Sequence, residues 1–414
     1  MPFGTLDEMK MLFNLAIRNI LRQRGRSSMT LLAIITGVAS LVVVGGFIED
    51  VYVQFGESII QSQTGHIQVF KQGFVTHGKR NPEQYLLDDA NRLAEQIAQV
   101  PGVAFATQRL NFSGLANNGK RDLPVVGEGV EPAKEASIRG YLRIIAGRHL
   151  EHSDMYAVTV GEGVSNSLGV GVGSVLNIVV STIDGAINTI DFNVVGVFQS
   201  YSKDFDAHAI RIPLAASKQL LSVEGANLLV AGVHRTPEAE AVRDAIIGRL
   251  SRADLDAKTW RQLSDFYDKT VKLYERQFGV LKFIIFSMVC LSVINSLNMT
   301  IFERTGEFGT LRAMGSRPRN IIELIVVECV LLGLIGTAAG VFAGIAASEL
   351  LSWIGIAMPP APNSNIGYTA RIQWNGSILV MAATVGLLAA IISSIVPSWR
   401  AAHIPIVDAL RENI

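Results

Sequence analysis

Four long apolar stretches divide the chain, and each is nearly free of charged side chains over its central turns. They lie at residues 29–48, 279–301, 321–346 and 376–396. An apolar helix of about 20 residues is long enough to cross the hydrocarbon core of a bilayer. The pattern therefore predicts an integral membrane α-helical protein with four transmembrane helices.

Basic residues at the ends of these stretches predict which side of the membrane each loop occupies. Arginines cluster before the first stretch and between the second and third, whereas Glu49 and Asp50 follow the first. Loops rich in Lys and Arg remain in the cytoplasm. We therefore predict a cytoplasmic segment at 302–320 and extracytoplasmic segments at 49–278 and 347–375. The first stretch is expected to remain in place as a signal anchor.

Both termini, residues 1–28 and 397–414, are predicted to be cytoplasmic by the same rule. In the first terminus, apolar residues recur at helical spacing opposite Arg18 and Arg22. They are Phe13, Ala16, Ile17, Ile20 and Leu21. This pattern predicts a basic amphipathic helix lying in the membrane interface. A helix packed on a partner protein is the alternative.

The long segment after the first stretch alternates strand and helix patterns. Short β-branched runs predict strands at residues 157–160, 175–180, 190–198, 209–212 and 228–233. Helical periodicity predicts helices at 88–100 and 237–250. A large α+β extracytoplasmic domain, in one or two lobes, is the expected fold. Apolar stripes continue out of the first membrane stretch and lead into the second. They predict helical stalks that pair and carry motion, and simple packing of helix against helix is the alternative.

Composition argues against a nucleic-acid partner and against a disulfide framework. The formal net charge is zero, so we expect no nucleic-acid partner. The two cysteines, Cys290 and Cys329, both fall inside apolar stretches, so a disulfide framework is not expected. The lipid bilayer is the one partner that composition alone predicts.

Two segments nearly match a phosphate-binding loop. Residues 73–79 and 114–120 both read G-x4-G-K, but Arg80 and Arg121 stand where a Ser or Thr hydroxyl must reach magnesium. Both segments are also predicted to lie away from cytoplasmic ATP. We therefore expect no nucleotide or other cofactor in this chain.

Two histidines near an aspartate offer a possible metal pair. His149 and His152 lie near Asp154, but zinc needs three or four ligands with support around them. A solvated turn is the favoured interpretation, so no metal site is predicted. No Ser/His/Asp or Cys/His arrangement stands out, and the chain is expected to be non-catalytic.

Two features lie within the third membrane stretch. Glu328 is an ionisable residue at membrane depth, where such groups face protein or water. Pairing with a neighbouring helix is favoured over a proton relay. Gly336, Gly340 and Gly344 recur every fourth residue and allow helices to approach closely. They predict a packing face and are one candidate seam for the dimer that a four-helix chain is expected to form.

The cytoplasmic segment 303–315 carries the most specific pattern, E-R-T-G-E-F-G-T-L-R-A-M-G. It predicts a short amphipathic helix that docks into a soluble partner. The segment resembles the E-R-x-x-E-[IF]-G-x-L-R-A-[ML]-G signature of FtsX-like (MacB-type) ABC transporter permeases. The tail, with Arg400-Ala401 and Ala409-Leu410-Arg411, resembles the ending of the same family. Segments around His66, Gly127 and Arg148 resemble the lipoprotein-releasing (LolC/LolE-type) branch.

This resemblance implies a type VII ABC transporter-like architecture in a bacterial inner membrane, working by mechanotransmission. It implies two copies of a separate cytoplasmic ATPase that binds ATP and magnesium, and a second permease copy or paralogue. A periplasmic adaptor or chaperone is a further partner of such systems. By the same resemblance, the contacts that couple the chain to the ATPase are Glu303, Arg304, Glu307, Phe308, Gly309, Leu311, Arg312, Ala313, Met314 and Gly315.

The leading hypothesis is therefore the permease subunit of an ABC transporter, acting on lipoprotein, lipid, peptide or drug. A mechanical regulator of cell-wall hydrolases that transports nothing is the alternative within the same family. A proton-driven transporter based on Glu328 is disfavoured because the four stretches show no inverted repeat. A surface sensor is disfavoured because no signalling module is present in the sequence.

Overall fold

The computed structural model describes residues 15–20, 22, 24–78, 82–135, 142–359, 367–406 and 409. The chain forms two compact units. The first unit consists of Met1–Tyr52, Val271–Ile356 and Thr369–Ile414. The second unit consists of Val53–Thr270 and Ala357–Tyr368.

The helices and strands are numbered in chain order. The helices are α1 (Arg24–Ile59), α2 (Phe74–His77), α3 (Ala90–Ala98), α4 (Pro132–Glu135), α5 (Glu162–Leu168), α6 (Lys203–Asp206), α7 (Leu214–Leu221), α8 (Ala239–Leu250), α9 (Trp260–Leu263), α10 (Asp265–Glu303), α11 (Thr305–Ala313), α12 (Pro318–Ile354) and α13 (Gly376–Ala402). The strands are β1 (Ile67–Lys71), β2 (Val103–Asn117), β3 (Asp122–Val130), β4 (Arg143–Gly147), β5 (Ala157–Gly161), β6 (Val175–Ser181), β7 (Ile187–Gln199), β8 (Ala209–Pro213), β9 (Leu228–Val233), β10 (Leu255–Thr259), β11 (Ile356–Met358) and β12 (Tyr368–Ala370).

Four helices in the described chain are long and apolar enough to cross a membrane: α1, α10, α12 and α13. Each contains one of the predicted apolar stretches and extends beyond it. In α1 and α10 the extension is longest, because α1 runs on to Ile59 and α10 begins at Asp265. The predicted membrane fold class with four spans is confirmed.

Small residues allow α1 to pack closely against α12 in the first unit. A methyl group built on Gly340 would lie 2.8 Å from Cβ of Val38, and one on Gly344 would lie 2.7 Å from Cβ of Val42. Gly336 makes a similar approach to Ile34. The predicted glycine face is therefore a packing face within one chain. It is not available as a dimer seam, because α1 of the same chain covers it.

The second unit is built on one ten-stranded sheet in the order β10-β1-β9-β2-β3-β8-β5-β7-β4, with β6 paired to β2 and β7. Most pairs are antiparallel, but β3 runs parallel to β8 and β5 runs parallel to β7. Two hydrophobic clusters share this sheet. One is formed around α3, α8 and β9, and the other around α5, α7, β7 and β8.

The long strand β2 contributes side chains to both clusters. It pairs with β9 at its start and with β6 at its end. The five predicted strands correspond to β5 through β9, and the two predicted helices to α3 and α8. The large α/β domain is thus as expected. Strands β1, β2, β3, β4 and β10 were not predicted, and they complete the sheet.

A buried ion network connects strands β2, β3 and β8 of this sheet with the short helix α4. Arg109 in β2 is 1% exposed, and its guanidinium donates hydrogen bonds of 2.7 and 3.0 Å to the carboxylate of Glu135. Arg211 in β8 pairs with Glu128 at 2.7 Å. Burial raises the pKa of Glu135, but the two arginines outweigh it, and the pKa lies below its usual range. Two arginines and two carboxylates thus balance their charges inside the domain.

Aromatic rings join the ends of the two long helices that enter the second unit. The ring of Phe55 in α1 stacks on Tyr267 in α10, with centroids 5.4 Å apart. Trp260 meets Tyr267 edge to face at 4.8 Å. Gly56 lies against the Trp260 ring, where a methyl group would approach within 2.9 Å. These contacts pair the two helices within the second unit.

Candidate functional site

The segment that resembles the permease signature forms the short helix α11, directly after α10. Glu307 lies in its first turn and Arg312 in its last, which complements the dipole of the helix. The chain leaves the helix at Gly315, whose φ of +96° is a left-handed conformation that glycine adopts readily. The predicted short helix is therefore present, with a glycine at its end.

Arg304, between α10 and α11, is buried although it is a charged residue. Its guanidinium donates hydrogen bonds of 3.1 and 2.9 Å to the carboxylate of Glu328 in α12. Its Nε donates a third, of 3.0 Å, to Glu307. The guanidinium also lies over the ring of Phe308, 5.1 Å from the centroid. A buried charge is tolerated only when it is paired and hydrogen-bonded, and Arg304 meets both conditions.

Two residues before α1, Asn19 and Arg22, add two more contacts to this network. Asn19 Nδ2 donates to Glu328 Oε1 at 2.7 Å, and Arg22 pairs with Glu307. The Glu328 carboxylate thus accepts hydrogen bonds from two other segments of the chain. We call Asn19, Arg22, Arg304, Glu307 and Glu328 the inner network.

The electrostatics of the inner network favour a charged Glu307. Partial burial opposes ionisation of this carboxyl, but hydrogen bonds from Arg304 and Arg22 outweigh it, so its pKa lies below 4.5. The side chain remains 44% exposed, which leaves its solvent-facing side open to another molecule. Glu307 is therefore both a member of the network and a part of the outer surface.

The C-terminal tail closes over the other end of α11. Arg312 Nη1 donates a hydrogen bond of 2.9 Å to the carbonyl oxygen of Ile404. Gly309 packs so closely on Ala409 that an added methyl group would lie 2.7 Å from its Cβ. Leu311 is half-buried against the same hydrophobic cluster as the spans. These contacts join the two segments that resemble the family signature and the family ending.

The ten residues predicted as coupling contacts thus divide between two faces. Arg304, Phe308 and Gly309 are buried, Leu311 is half-buried, and Arg312 is directed to the tail. The exposed members are Glu303, Glu307, Ala313, Met314 and Gly315, with Met314 73% exposed. The sequence pattern alone did not separate the two faces. It also missed Asn19 and Arg22, since their partners lie about 300 residues further along the chain.

The other sequence candidates do not come together as sites. Residues 114–120 lie on the end of β2 and the turn to β3, not before a helix, and Lys79 and Arg80 fall outside the described residues. Asp154 pairs with Arg148 at 2.7 Å, which lowers the pKa of its carboxyl. No group of metal-ligating side chains forms among the residues that the structure describes. His152 lies in the turn beside this ion pair.

Two family models cover most of the chain. The model of the MacB-like periplasmic core domain matches residues 27–249, and the FtsX-like permease C-terminal model matches residues 279–406. The first match spans α1 and most of the strand domain, and the second spans α10 to α13.

Three proteins of similar sequence have names that refer to permeases or to transmembrane release systems. The lipoprotein-releasing system transmembrane protein LolC of Xylella fastidiosa is 23% identical, over 94% of this chain and 95% of its own. The macrolide export ATP-binding/permease protein MacB of Neisseria gonorrhoeae is 24% identical over 81% of this chain, which spans 52% of that protein. An uncharacterised ABC transporter permease of Methanocaldococcus jannaschii is 26% identical over 64% of both chains.

A solved structure gives a weaker likeness. The periplasmic region of MacB from Actinobacillus actinomycetemcomitans covers 51% of this chain and 95% of its own, at 12% identity and a TM-score of 0.37. Both family models match in sequence order, and the chain has the four spans and the α/β domain of such proteins. The chain therefore belongs to the FtsX-like, MacB-type permeases of ABC transporters and is an inner-membrane protein.

Proposed function

We propose that this permease couples ATP hydrolysis by a separate cytoplasmic ATPase to the extraction or export of lipoprotein, lipid, peptide or drug outside the membrane. The observation that carries the proposal is the division of α11 into two faces. Its inner face is bonded to the spans and the tail, while its outer face presents Met314 and Glu307. This arrangement is what a docking helix needs in order to pass on a displacement.

The exposed end of α11 offers a docking surface of mixed chemistry. Met314 is a large apolar side chain at 73% exposure, next to the exposed Ala313 and Gly315. Methionine adapts its shape to apolar partner surfaces. Glu303 and Glu307 add negative charge at the other end of the helix. The proposed partner surface is therefore an apolar groove with basic residues beside it.

A displacement of α11 has a bonded route into the spans. Arg304 connects the helix to α12 through Glu328, and Arg304 itself follows the last residue of α10. The α1 and α10 helices each continue without a break from the first unit into the second. Packed helices with discrete bonded contacts are the elements that carry motion between distant sites. We infer that movement reaches the strand domain along these two helices.

Orientation and partners follow from the same proposal. The arginine-rich termini and α11 are cytoplasmic, and residues 49–278 lie outside. The ATPase binds ATP and magnesium, and this chain holds no cofactor and acts as a non-catalytic subunit. Two ATPase copies would serve a pair of permeases. The names of its relatives, a lipoprotein-releasing system protein and a macrolide export protein, support lipoprotein or drug as the cargo class.

The test is purification of the tagged chain from its native membranes in mild detergent, with mass spectrometry and an ATPase assay. We expect an ABC ATPase to co-purify and to hydrolyse ATP in a vanadate-sensitive manner. Met314→Asp places a charge on the outer face of α11 and should abolish co-purification. Arg319→Ala, a change at a 77% exposed site elsewhere on the cytoplasmic surface, should leave it unchanged.

The outcomes separate the possible functions. Loss of the ATPase with Met314→Asp alone supports docking at α11. A wild-type chain that purifies without any ATPase refutes the proposal. A chain that retains the ATPase but co-purifies with cell-wall hydrolases, and shows no cargo release, would favour the mechanical regulator instead.

A further inference from the structure

The junction between α1 and the first strand of the second unit is a single π-helical turn, Ile60–Thr64. It closes through a hydrogen bond of 2.6 Å from the amide of Gly65 to the carbonyl oxygen of Ile60. Gly65 has a φ of +65°, and a methyl group built on it would lie 2.2 Å from Cγ1 of Val230. Turns of this kind are frequent at functional sites. The junction is therefore either a hinge or a fixed corner.

Side chains from three segments meet across this junction. Thr236, which precedes α8, donates a hydrogen bond of 2.7 Å from its hydroxyl to Oε1 of Glu57 in α1. Gln61 in the π-helical turn donates one of 2.6 Å to Oε2 of the same carboxylate. Nε2 of His66 lies 3.3 Å from the Thr236 hydroxyl oxygen. We call Glu57, Gln61, His66 and Thr236 the junction cluster.

The hydrogen atoms of the junction cluster have one consistent arrangement. An ionised carboxylate accepts hydrogen bonds and donates none, so the single hydroxyl hydrogen of Thr236 is directed to Glu57. The Thr236 oxygen then accepts a hydrogen bond from Nε2–H of His66. Burial lowers the pKa of His66, and the nearby Glu57 offsets this only in part, so the ring is neutral at neutral pH. The three side chains form a directed chain from ring to hydroxyl to carboxylate.

The junction does not have the features of a hinge. Ile60 and Ser62 are buried, and the Ser62 hydroxyl donates a hydrogen bond of 2.6 Å to the carbonyl oxygen of Ser58. The carbonyl oxygen of His66 accepts one of 2.9 Å from the amide of Trp260. Hinge residues absorb large changes in φ and ψ, and segments that open easily have few buried contacts. These bonded and buried residues therefore favour a fixed corner.

The junction cluster connects α1 to one of the two hydrophobic clusters of the second unit. That cluster, around α3, α8 and β9, includes Val242 and Ile246 from α8 and Ile67 and Val69 from β1. Among the described residues, the other cluster includes none from α8 or β1. We call α3, α8, β1, β9 and β10, which surround the first cluster, the α8 lobe. The end of α1 is thus bonded to the α8 lobe.

We propose that the junction cluster holds α1 and the α8 lobe together as one rigid body, with Glu57, His66 and Thr236 as positioning residues. Glu57 is the last charged residue of α1, and its two hydrogen bonds join the helix to the π-helical turn and to the segment before α8. Displacement of α1 then moves the α8 lobe without bending at the turn. This inference rests on the proposed function for the source of that displacement.

The first test measures distances between α1 and α8. Spin labels are attached at Val53→Cys and Ile247→Cys, two exposed positions, after Cys290 and Cys329 are replaced by alanine. Pulsed electron paramagnetic resonance is recorded on the full chain in detergent, alone and with its ATPase. We expect one narrow distance distribution that is the same in nucleotide-free and vanadate-trapped complexes. A broad distribution, or a distance that differs between these states, would show a hinge and overturn the proposal.

The second test removes one hydroxyl. Thr236→Val keeps the shape of the side chain but separates His66 from Glu57. It should broaden the distance distribution and abolish the cargo-dependent stimulation of the bound ATPase, while the midpoint of thermal unfolding stays near that of the wild type. Glu57→Gln retains an acceptor for Thr236 and should keep both properties. Thr76→Val is the matched control, because it removes an exposed hydroxyl whose bond to the carbonyl of Gly73 does not involve the junction cluster. Equal distributions in Thr236→Val and Thr76→Val would refute the role of the hydroxyl.

A reversible cross-link separates a rigid connection from a contact that only stabilises the fold. Glu57→Cys and Thr236→Cys are combined in the chain without native cysteines and joined by a short bis-methanethiosulfonate linker, which a reductant removes. The linked protein should keep the cargo-dependent stimulation, and the reduced protein should lose it. Stimulation only after reduction would show that the junction must bend, and equal stimulation in both forms would show that the connection is not needed. Either result overturns the proposal.

The distance measurements on the chain alone do not depend on the ATPase. A narrow wild-type distribution that Thr236→Val broadens, in a chain that binds no ATPase, would support the rigid connection and refute the coupling role. An ATPase that co-purifies and responds to cargo, together with a broad wild-type distribution, would support the coupling role and refute the rigid connection.

Discussion

Replacing Glu328 by leucine tests whether the inner network transmits force or only stabilises the fold. The substitution removes the acceptor of two hydrogen bonds from Arg304 and one from Asn19. It leaves the buried guanidinium with Glu307 as its remaining carboxylate partner. Breaking one half of a buried ion pair costs about 3–5 kcal/mol, because a charge remains uncompensated. We expect the free energy of unfolding in detergent to fall by that amount.

The double variant Arg304→Met, Glu328→Leu separates the two roles. Replacing both members of a buried pair by apolar side chains of similar volume is often neutral for stability. The double variant should therefore unfold within about 1 kcal/mol of the wild type. If the Arg304–Glu328 pair carries motion from α11 to α12, the double variant should still lose the cargo-dependent stimulation of the bound ATPase.

Both quantities come from purified complexes. Unfolding is followed by denaturant titration, and coupling by the ratio of ATPase rates with and without cargo. Wild-type coupling in a stable double variant would show that the ion pair is purely structural. A single variant as stable as the wild type would show that Arg304 is not held as the structure describes.

Three further predictions use other parts of the chain. Hydrogen bonds depress the pKa of Glu307, so the charged carboxylate stabilises the fold above pH 4.5 and this stabilisation is lost as the pH falls below 4.5. Glu307→Gln should therefore flatten the acid limb of a curve of unfolding free energy against pH. Gly340→Val should lower the free energy of unfolding by about 1–3 kcal/mol, measured in detergent, because the new side chain collides with Val38. Arg109→Met should cost about 3–5 kcal/mol in the same assay, because it leaves the carboxylate of Glu135 buried without its main partner.

Two of these predictions have a control within the chain. Gly248 has open space around its Cβ position, so Gly248→Ala should not destabilise the protein. Arg148→Met breaks a surface ion pair and should cost about 1 kcal/mol at most. An acid limb that is unchanged by Glu307→Gln, or equal losses for Arg109→Met and Arg148→Met, would contradict the electrostatic reasoning.

The spans could be predicted from sequence because the signal for a membrane helix is local. About 20 apolar residues in a row leave few alternatives, and each predicted stretch lies within an observed helix. Strand β2 was missed for the opposite reason. Its centre holds Thr107, Gln108 and Arg109, which are polar and buried. Their acceptors include Glu131 and Glu135, which lie more than twenty residues away, so no local pattern marks the strand.

In the candidate site, too, contacts with distant parts of the chain could not be predicted from the local sequence. The signature predicted a helix and its residues, and α11 is present at that position. Which residues face inward depends on Glu328, which lies 24 residues after Arg304, and on the carbonyl of Ile404. A helical repeat in a nine-residue helix cannot define both faces when two separate segments pack against it. The orientation of the signature therefore required the structure.

The glycine contact between α1 and α12 has a consequence for how the membrane unit deforms. Long side chains between two helices can change rotamer, and they absorb small displacements. At Gly336, Gly340 and Gly344 no such layer exists, because the backbone of α12 meets Ile34, Val38 and Val42 directly. A shift of α12 cannot be taken up there by side-chain rearrangement. The two helices should therefore move together as one rigid unit.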